Sequence, residues 1–148
     1  MSDAVGGRAL EILLVEDNPG DVGLAREGLS ECKIPHHVHV VGDGLEASAF
    51  LHHKGAYASR PRPDIILLDL NLPKRDGRDL LREIKEDEQL KQIPVVILTT
   101  SAAEEDITRS YSLHANCYVT KPLGIDQFLQ VIRSIENFWF NTVKLPPK

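Results

Sequence analysis

Only two of the 148 residues are cysteine, one is tryptophan, one is methionine, and aromatic side chains make up 5%. Cys32 and Cys117 lie too far apart for a metal-ligand spacing or a disulfide framework. Both read as small buried thiols of a protein kept in the reducing cytoplasm, with a bridge between them as the alternative. Positive charge is also short: 17 Lys and Arg face 22 Asp and Glu, for a net charge of −5. Such a surface is poorly suited to neutralising phosphates, so DNA is not an expected partner. No stretch approaches the roughly 20 apolar residues of a membrane span, and Met1–Leu10 lacks the apolar run of a signal peptide. No membrane association is expected. What the chain does have is 42% hydrophobic and 26% charged residues in the length of one ordinary domain. That length buries a sufficient core without a metal or disulfide staple.

Short apolar runs alternate with helical periodicities. Ile12-Leu13-Leu14-Val15 is continuous and reads as a strand buried on both faces, stopped by Glu16-Asp17-Asn18-Pro19. Val22, Ala25, Leu29 and Cys32 recur at helical spacing over 21–32, and Pro35 follows. His37–Val41 reads as a second strand. Asp43 is placed to cap a helix carrying Leu45, Ala49, Phe50 and Leu51. A longer loop spans 55–63, where Pro61 and Pro63 oppose regular structure. Ile65–Leu68, set between Asp64 and Asp69, is the clearest strand. An amphipathic helix over 79–87 follows, then a strand over 93–99, a helix over 103–114, a short strand over 117–120 and a last helix over 125–140. Strand–helix repeated five times predicts a doubly wound α/β fold with a five-stranded parallel sheet.

In such a sheet ligands bind where the strands end. Glu16 and Asp17 follow the first strand, Asp69 and Asn71 the third, Thr99 and Thr100 the fourth, and Lys121 the fifth. Taken singly, Glu16 or Thr100 reads as a helix cap or a solvated turn. Together they form one rim of carboxylates, hydroxyls and a lysine. Clustered carboxylates repel unless a cation sits among them, and hard oxygen ligands suit Mg²⁺, which also binds phosphate oxygens. A lysine and a hydroxyl opposite the metal suit the remaining oxygens of a phosphoryl group. Asp69, ending the central strand, is the candidate nucleophile for an acyl phosphate. Lys121-Pro122 can be cis, which would aim the lysine.

The acidic pair Glu16-Asp17, the run Leu68-Asp69-Leu70-Asn71-Leu72-Pro73 with Gly77, Leu98-Thr99-Thr100, and Tyr118-Val119-Thr120-Lys121-Pro122 resemble the receiver domain of two-component response regulators. The resemblance covers 10–140, with 1–9 as a flexible leader and 141–148 as an extended tail. It implies the flavodoxin-like receiver fold, with Asp69 as phosphoacceptor. It also implies Mg²⁺ held by Asp17 and Asp69, by Glu16 through water and by the Asn71 backbone carbonyl. Thr99, Thr100 and Lys121 would contact the phosphoryl group, and Tyr118 matches the family's aromatic switch. Glu16 stands where many members have Asp, which only lengthens the reach. Residues 55–63, Thr99–Ala102, Leu113–Tyr118 and Glu136–Phe140 resemble the response regulators of bacterial phytochrome histidine kinases. The implied function is phosphoryl acceptance from such a kinase, without enzymatic turnover of other substrates, to switch protein–protein interactions.

Ile125, Phe128, Leu129, Ile132, Ile135 and Trp139 fit one buried face of the last helix. Val131 and Phe138 form a second stripe, continued by Phe140, Val143 and Leu145. That apolar surplus predicts a homodimer through the last helix and tail, the alternative being a tail folded on its own domain. Of six histidines, His37 and His39 share a strand face and could pair on a metal. Lacking carboxylate or thiolate companions in sequence, they read as ordinary surface or packing residues. Two other functions compete. A Mg²⁺-dependent phosphatase with an Asp nucleophile generally needs a second acid where Asn71 stands, and a substrate-covering cap. A receiver-like scaffold that never takes phosphate would not need the acidic set and Lys121.

Overall fold

The computed structural model describes residues 9–31, 35–99, 107, 111–112, 114–122, 124–135 and 137–138. In chain order the elements are β1 (Leu10–Val15), α1 (Pro19–Leu29), β2 (His36–Val41), α2 (Gly44–Leu51), a 3₁₀ turn (Gly55–Tyr57), β3 (Ile65–Leu68), α3 (Gly77–Glu86), β4 (Val95–Thr99), β5 (Cys117–Thr120) and α4 (Ile125–Ile135). Most of the expected helix over 103–114 lies outside the described residues, although Ile107, Tyr111 and Ser112 are helical. The strands form one five-stranded sheet in the order β2-β1-β3-β4-β5, with every pair parallel. The α/β expectation is met.

The continuous apolar runs have a simple cause: the strands are covered on both faces. Leu13, Val15, Ile66, Leu68, Val95 and Ile97 pack toward α2 and α3, against Phe50, Leu80, Leu81 and Ile84. Their neighbours Leu10, Ile12, Leu14, Ile65, Leu67, Val96 and Leu98 pack toward α1 and α4, against Leu29, Phe128 and Ile132. Strand periodicity sends alternate residues to opposite layers, so the runs Ile12–Val15, Ile65–Leu68 and Val95–Leu98 are apolar at every position.

Several boundaries differ from expectation for local reasons. Helix α1 begins at Pro19, not Asp21, because the Asn18 side chain accepts the Asp21 N–H and proline is tolerated in the first turn. Asp43 caps α2 as expected, accepting the Glu46 N–H at 2.8 Å. Leu45 is 56% exposed, while Ala47, Phe50 and Leu51 are buried. Ile125 is likewise 63% exposed, while Phe128, Leu129, Ile132 and Ile135 are buried. Leu45 and Ile125, each at or next to the start of its helix, face away from the packed layer, which periodicity alone does not reveal. Cys117 is half-buried rather than buried. Cys32 and Trp139 lie outside the described residues.

Helix α1 meets α4 at Gly28. A Cβ there would fall 2.7 Å from Ile132 Cγ2. Gly28→Ala is therefore expected to cost about 1–2 kcal/mol in urea denaturation, even after the helix-propensity gain. An unchanged midpoint would show that α1 and α4 separate freely.

Candidate functional site

The sheet order reverses between β1 and β3, and the candidate residues gather beyond the ends of those strands. Register does the placing. Val15 lies opposite Leu68, so Glu16 comes beside Asp69. Thr99 pairs with Thr120, so Lys121 follows at the same level. Its own backbone N–H donates to the Thr99 carbonyl at 2.7 Å. That bond helps fix Lys121, because Lys121–Pro122 is trans, as are all peptide bonds of the described residues. The cis form considered above is not found.

Asp69 is buried, and its contacts come from its own loop and from the ends of β4 and β5. Its Oδ1 accepts from the Thr99 hydroxyl at 2.7 Å and from the Asn71 N–H at 3.0 Å. Its Oδ2 accepts from Lys121 Nζ at 3.0 Å. The Asn71 side-chain amide donates in turn to Thr99 Oγ1 at 3.3 Å. The start of α3 is drawn against this corner, because a Cβ on Gly77 would stand 2.5 Å from the Asp69 carbonyl oxygen. Asp76 caps α3, and Arg75 in the same loop pairs with Glu83. Burial raises the Glu83 pKa, but hydrogen bonds from Ser48, Arg75 and His52 more than offset this and hold it below the ordinary value.

Lys121 is the hub of the charges. Besides Asp69 it pairs with Glu16 and, at 2.9 Å, with Asp21 Oδ2. Burial acts to lower its pKa, but the three carboxylates overcome that and raise it. Glu16 is pushed the other way. Burial, with Asp69 nearby, outweighs Lys121 and lifts its carboxyl to about 7. The site therefore carries more buried negative charge than one lysine balances.

Glu16, Asp17 and Asp69 each offer an oxygen, all within 4.8 Å of one another. Among the described residues this is the only trio of carboxylate, imidazole or thiol groups close enough to share an ion. The donor set is all oxygen, with excess negative charge, and so fits a hard divalent cation.

The other expected site residues are less central. Tyr118 is half-buried on β5 and packs against the core beneath α2 and α3. Its N–H donates to the Tyr111 hydroxyl at 3.2 Å. Thr100 lies outside the described residues. Val131 and the 53%-exposed Phe138 help line a groove of about 550 Å³, together with Cys117, Val119 and Ile135. Phe140, Val143 and Leu145 lie outside the described residues.

Sequence reading missed two contacts. Asp21 reaches Lys121 from 100 positions away. Its only sequence signal is an acid in the first turn of α1, next to the acidic pair. The histidines do have a carboxylate companion: Glu11 lies 3.1 Å from His37 Nδ1 and 2.8 Å from His39 Nε2. Arg60 sits on the other nitrogen of His39 at 3.1 Å. Burial raises Glu11, but its hydrogen bonds with His39 and His37 outweigh it and lower the pKa. This is a packing network at the sheet edge.

The response regulator receiver domain model matches residues 12–133. The chain belongs to that family. Among its relatives, the response regulator Rcp1 of Synechocystis sp. is 51% identical over 135 residues, covering 91% of this chain and 92% of Rcp1. The phosphorylated cyanobacterial phytochrome response regulator RcpA superposes with a TM-score of 0.92 at 52% identity, over 94% of this chain and 99% of that one. The Mn²⁺-bound form of Rcp1 gives 0.91 at 50% identity, over 93% and 99%. This receiver domain thus has the flavodoxin-like fold expected of it, and its acidic trio lies at the end of the parallel sheet.

Proposed function

We propose that this receiver domain is the phosphorylation-operated switch of a phytochrome-type two-component system. The observation that carries the reading is Asp69 Oδ2 at 3.0 Å from Lys121, inside an acidic trio able to hold a divalent ion. A carboxylate oxygen of Asp69 attacks the phosphorus of a phosphohistidine on the sensor kinase. The new P–O bond replaces the P–N bond, and the imidazole leaves and takes a proton. Lys121 is placed for the phosphoryl oxygens, and the Thr99 hydroxyl, already on Asp69 Oδ1 at 2.7 Å, can transfer to one of them. Asp17 and Asp69 would hold Mg²⁺ directly, Glu16 through water and Asn71 through its backbone carbonyl. When bound, the ion supplies the positive charge that the transferring group requires.

The relatives support the phytochrome assignment, since RcpA is described as a phytochrome response regulator. The chemistry is confined to the chain's own Asp69. The output is protein binding, in keeping with the acid excess of the chain. Movement of Thr99 toward the phosphoryl group, followed by Tyr118, would remodel the β4–β5 surface. No helix of the described chain is long and apolar enough to cross a membrane, and we assign the protein to the cytoplasm. A second copy of the chain would sit on the α4 groove, a reading supported by the apolar lining that Val131 and Phe138 give it. Residues 10–140 would form the receiver unit and 141–148 the arm extending that interface.

The test is intact mass after incubation with a small phosphodonor, with and without Mg²⁺. One added phosphoryl group is expected, absent in Asp69→Asn and absent in EDTA. Failure of the wild type to gain it, and to bind beryllofluoride as a stable mimic, would leave a receiver-like scaffold.

A further inference from the structure

We propose that Asp21 is a positioning residue for the phosphoryl-accepting site: it is the exchangeable partner that holds Lys121 and must release it when Asp69 is phosphorylated. The inference rests on the reading of Asp69 as phosphoacceptor. An ammonium group has three N–H donors. Those of Lys121 face three carboxylates: Glu16, Asp21 at 2.9 Å and Asp69 at 3.0 Å. A phosphoryl group on Asp69 brings further anionic oxygens to the same ammonium group, where they compete with the carboxylates already there.

The three are not equivalent. The Glu16 side chain is 4% exposed and that of Asp69 8% exposed, whereas that of Asp21 is 26% exposed. Releasing a buried carboxylate without a partner is costly, while one at the rim regains water. Glu16 and Asp69 also belong to the trio that can share an ion, and Asp21 does not. A metal at that trio competes with Lys121 for its two buried partners and leaves Asp21 untouched. Asp21 is itself held in place, because it opens α1 and its N–H donates to the Asn18 side chain at 3.1 Å. It therefore stands at the lip, bearing a negative charge that competes with the incoming phosphoryl oxygens for the same lysine.

Beryllofluoride affinity of the full chain in saturating Mg²⁺, read by titration calorimetry, tests this. Asp21→Asn is expected to bind about two- to five-fold more tightly than wild type, the range for a partly exposed ion pair. Asp21→Glu should return to the wild-type value. Asp21→Ser, which keeps a good helix-start residue, should reproduce the Asn result if the Asn variant folds poorly. In a Lys121→Met background the Asp21→Asn effect should vanish, which a merely structural or long-range charge role would not produce. Equal or weaker binding by both neutral variants would overturn the inference, as would the same gain without Lys121. Absence of binding by the wild type would instead overturn the phosphoacceptor reading, and this inference with it.

Discussion

Lys121→Met is expected to slow phosphoryl uptake at Asp69 by on the order of 10²-fold, while tightening Mg²⁺ binding. The two effects have one origin. Lys121 is a buried cation 3.0 Å from the Asp69 carboxylate, preorganised by the backbone bond from its own N–H to Thr99. On the proposed function it would stand where negative charge builds on the transferring group, and its loss would remove a fixed counter-charge from a water-poor site. The same ammonium group lies against Glu16 and Asp69, two of the three residues able to share an ion. Removing it frees their oxygens and removes a positive charge that repels the metal. Single-turnover uptake followed by intact mass, paired with a Mg²⁺ titration, measures both. Uptake at the wild-type rate would show that the metal alone carries the charge. Weaker Mg²⁺ binding would show that Lys121 holds the carboxylates in place rather than competing for them.

Glu16→Gln is expected to stabilise the metal-free protein by on the order of 2–3 kcal/mol at pH 8, and to leave it unchanged near pH 4. The glutamate is buried, and its carboxyl is lifted from 4.5 to about 7, first by burial and then by Asp69, against the pull of Lys121. The folded state thus binds the proton more tightly than the unfolded state does. Its contribution is fully favourable below the unfolded value and is lost as pH rises through about 7. Above that, an ionised Glu16 is carried at a cost that a neutral isostere avoids. Glutamine keeps a carbonyl acceptor for the Asn18 N–H, which now bonds Glu16 at 3.1 Å. Mg²⁺ should erase the difference by neutralising the charge in wild type. Guanidinium denaturation in EDTA at pH 8 and pH 4, repeated with Mg²⁺, gives the answer. No gain at pH 8 would mean that Lys121 already compensates Glu16 completely.

Much of this site was readable in one dimension because its parts are local to strand ends. A strand buried on both faces shows as an uninterrupted apolar run, and the residue that ends it marks the rim. Asp69 after Ile65–Leu68 and Lys121 after Cys117–Thr120 were found that way, and both lie at the rim. Asn71 and Thr99 needed the same step, and the hydrogen bond between them confirms that they share a corner. Asp21 was not found, because an acid in a first helical turn is ordinary there. Only the fold brings the first turn of α1 to the loop that carries Lys121. Glu11 was missed for the same reason: the imidazoles it meets lie on the neighbouring strand, 26 and 28 positions away. Ile125 was misplaced because an amphipathic period does not say which turn is covered.

Apolar periodicity determined the α/β class, the order of the elements and the set of rim residues, since each is encoded by neighbours along the chain. Tertiary structure alone decided which carboxylates share Lys121 and which of them can also share an ion. It also decided how far burial lifts Glu16. Those properties depend on separations of a few ångströms between strand ends and on the exclusion of water from the space between them. Neither quantity exists until the sheet has closed in register and the helices have covered it.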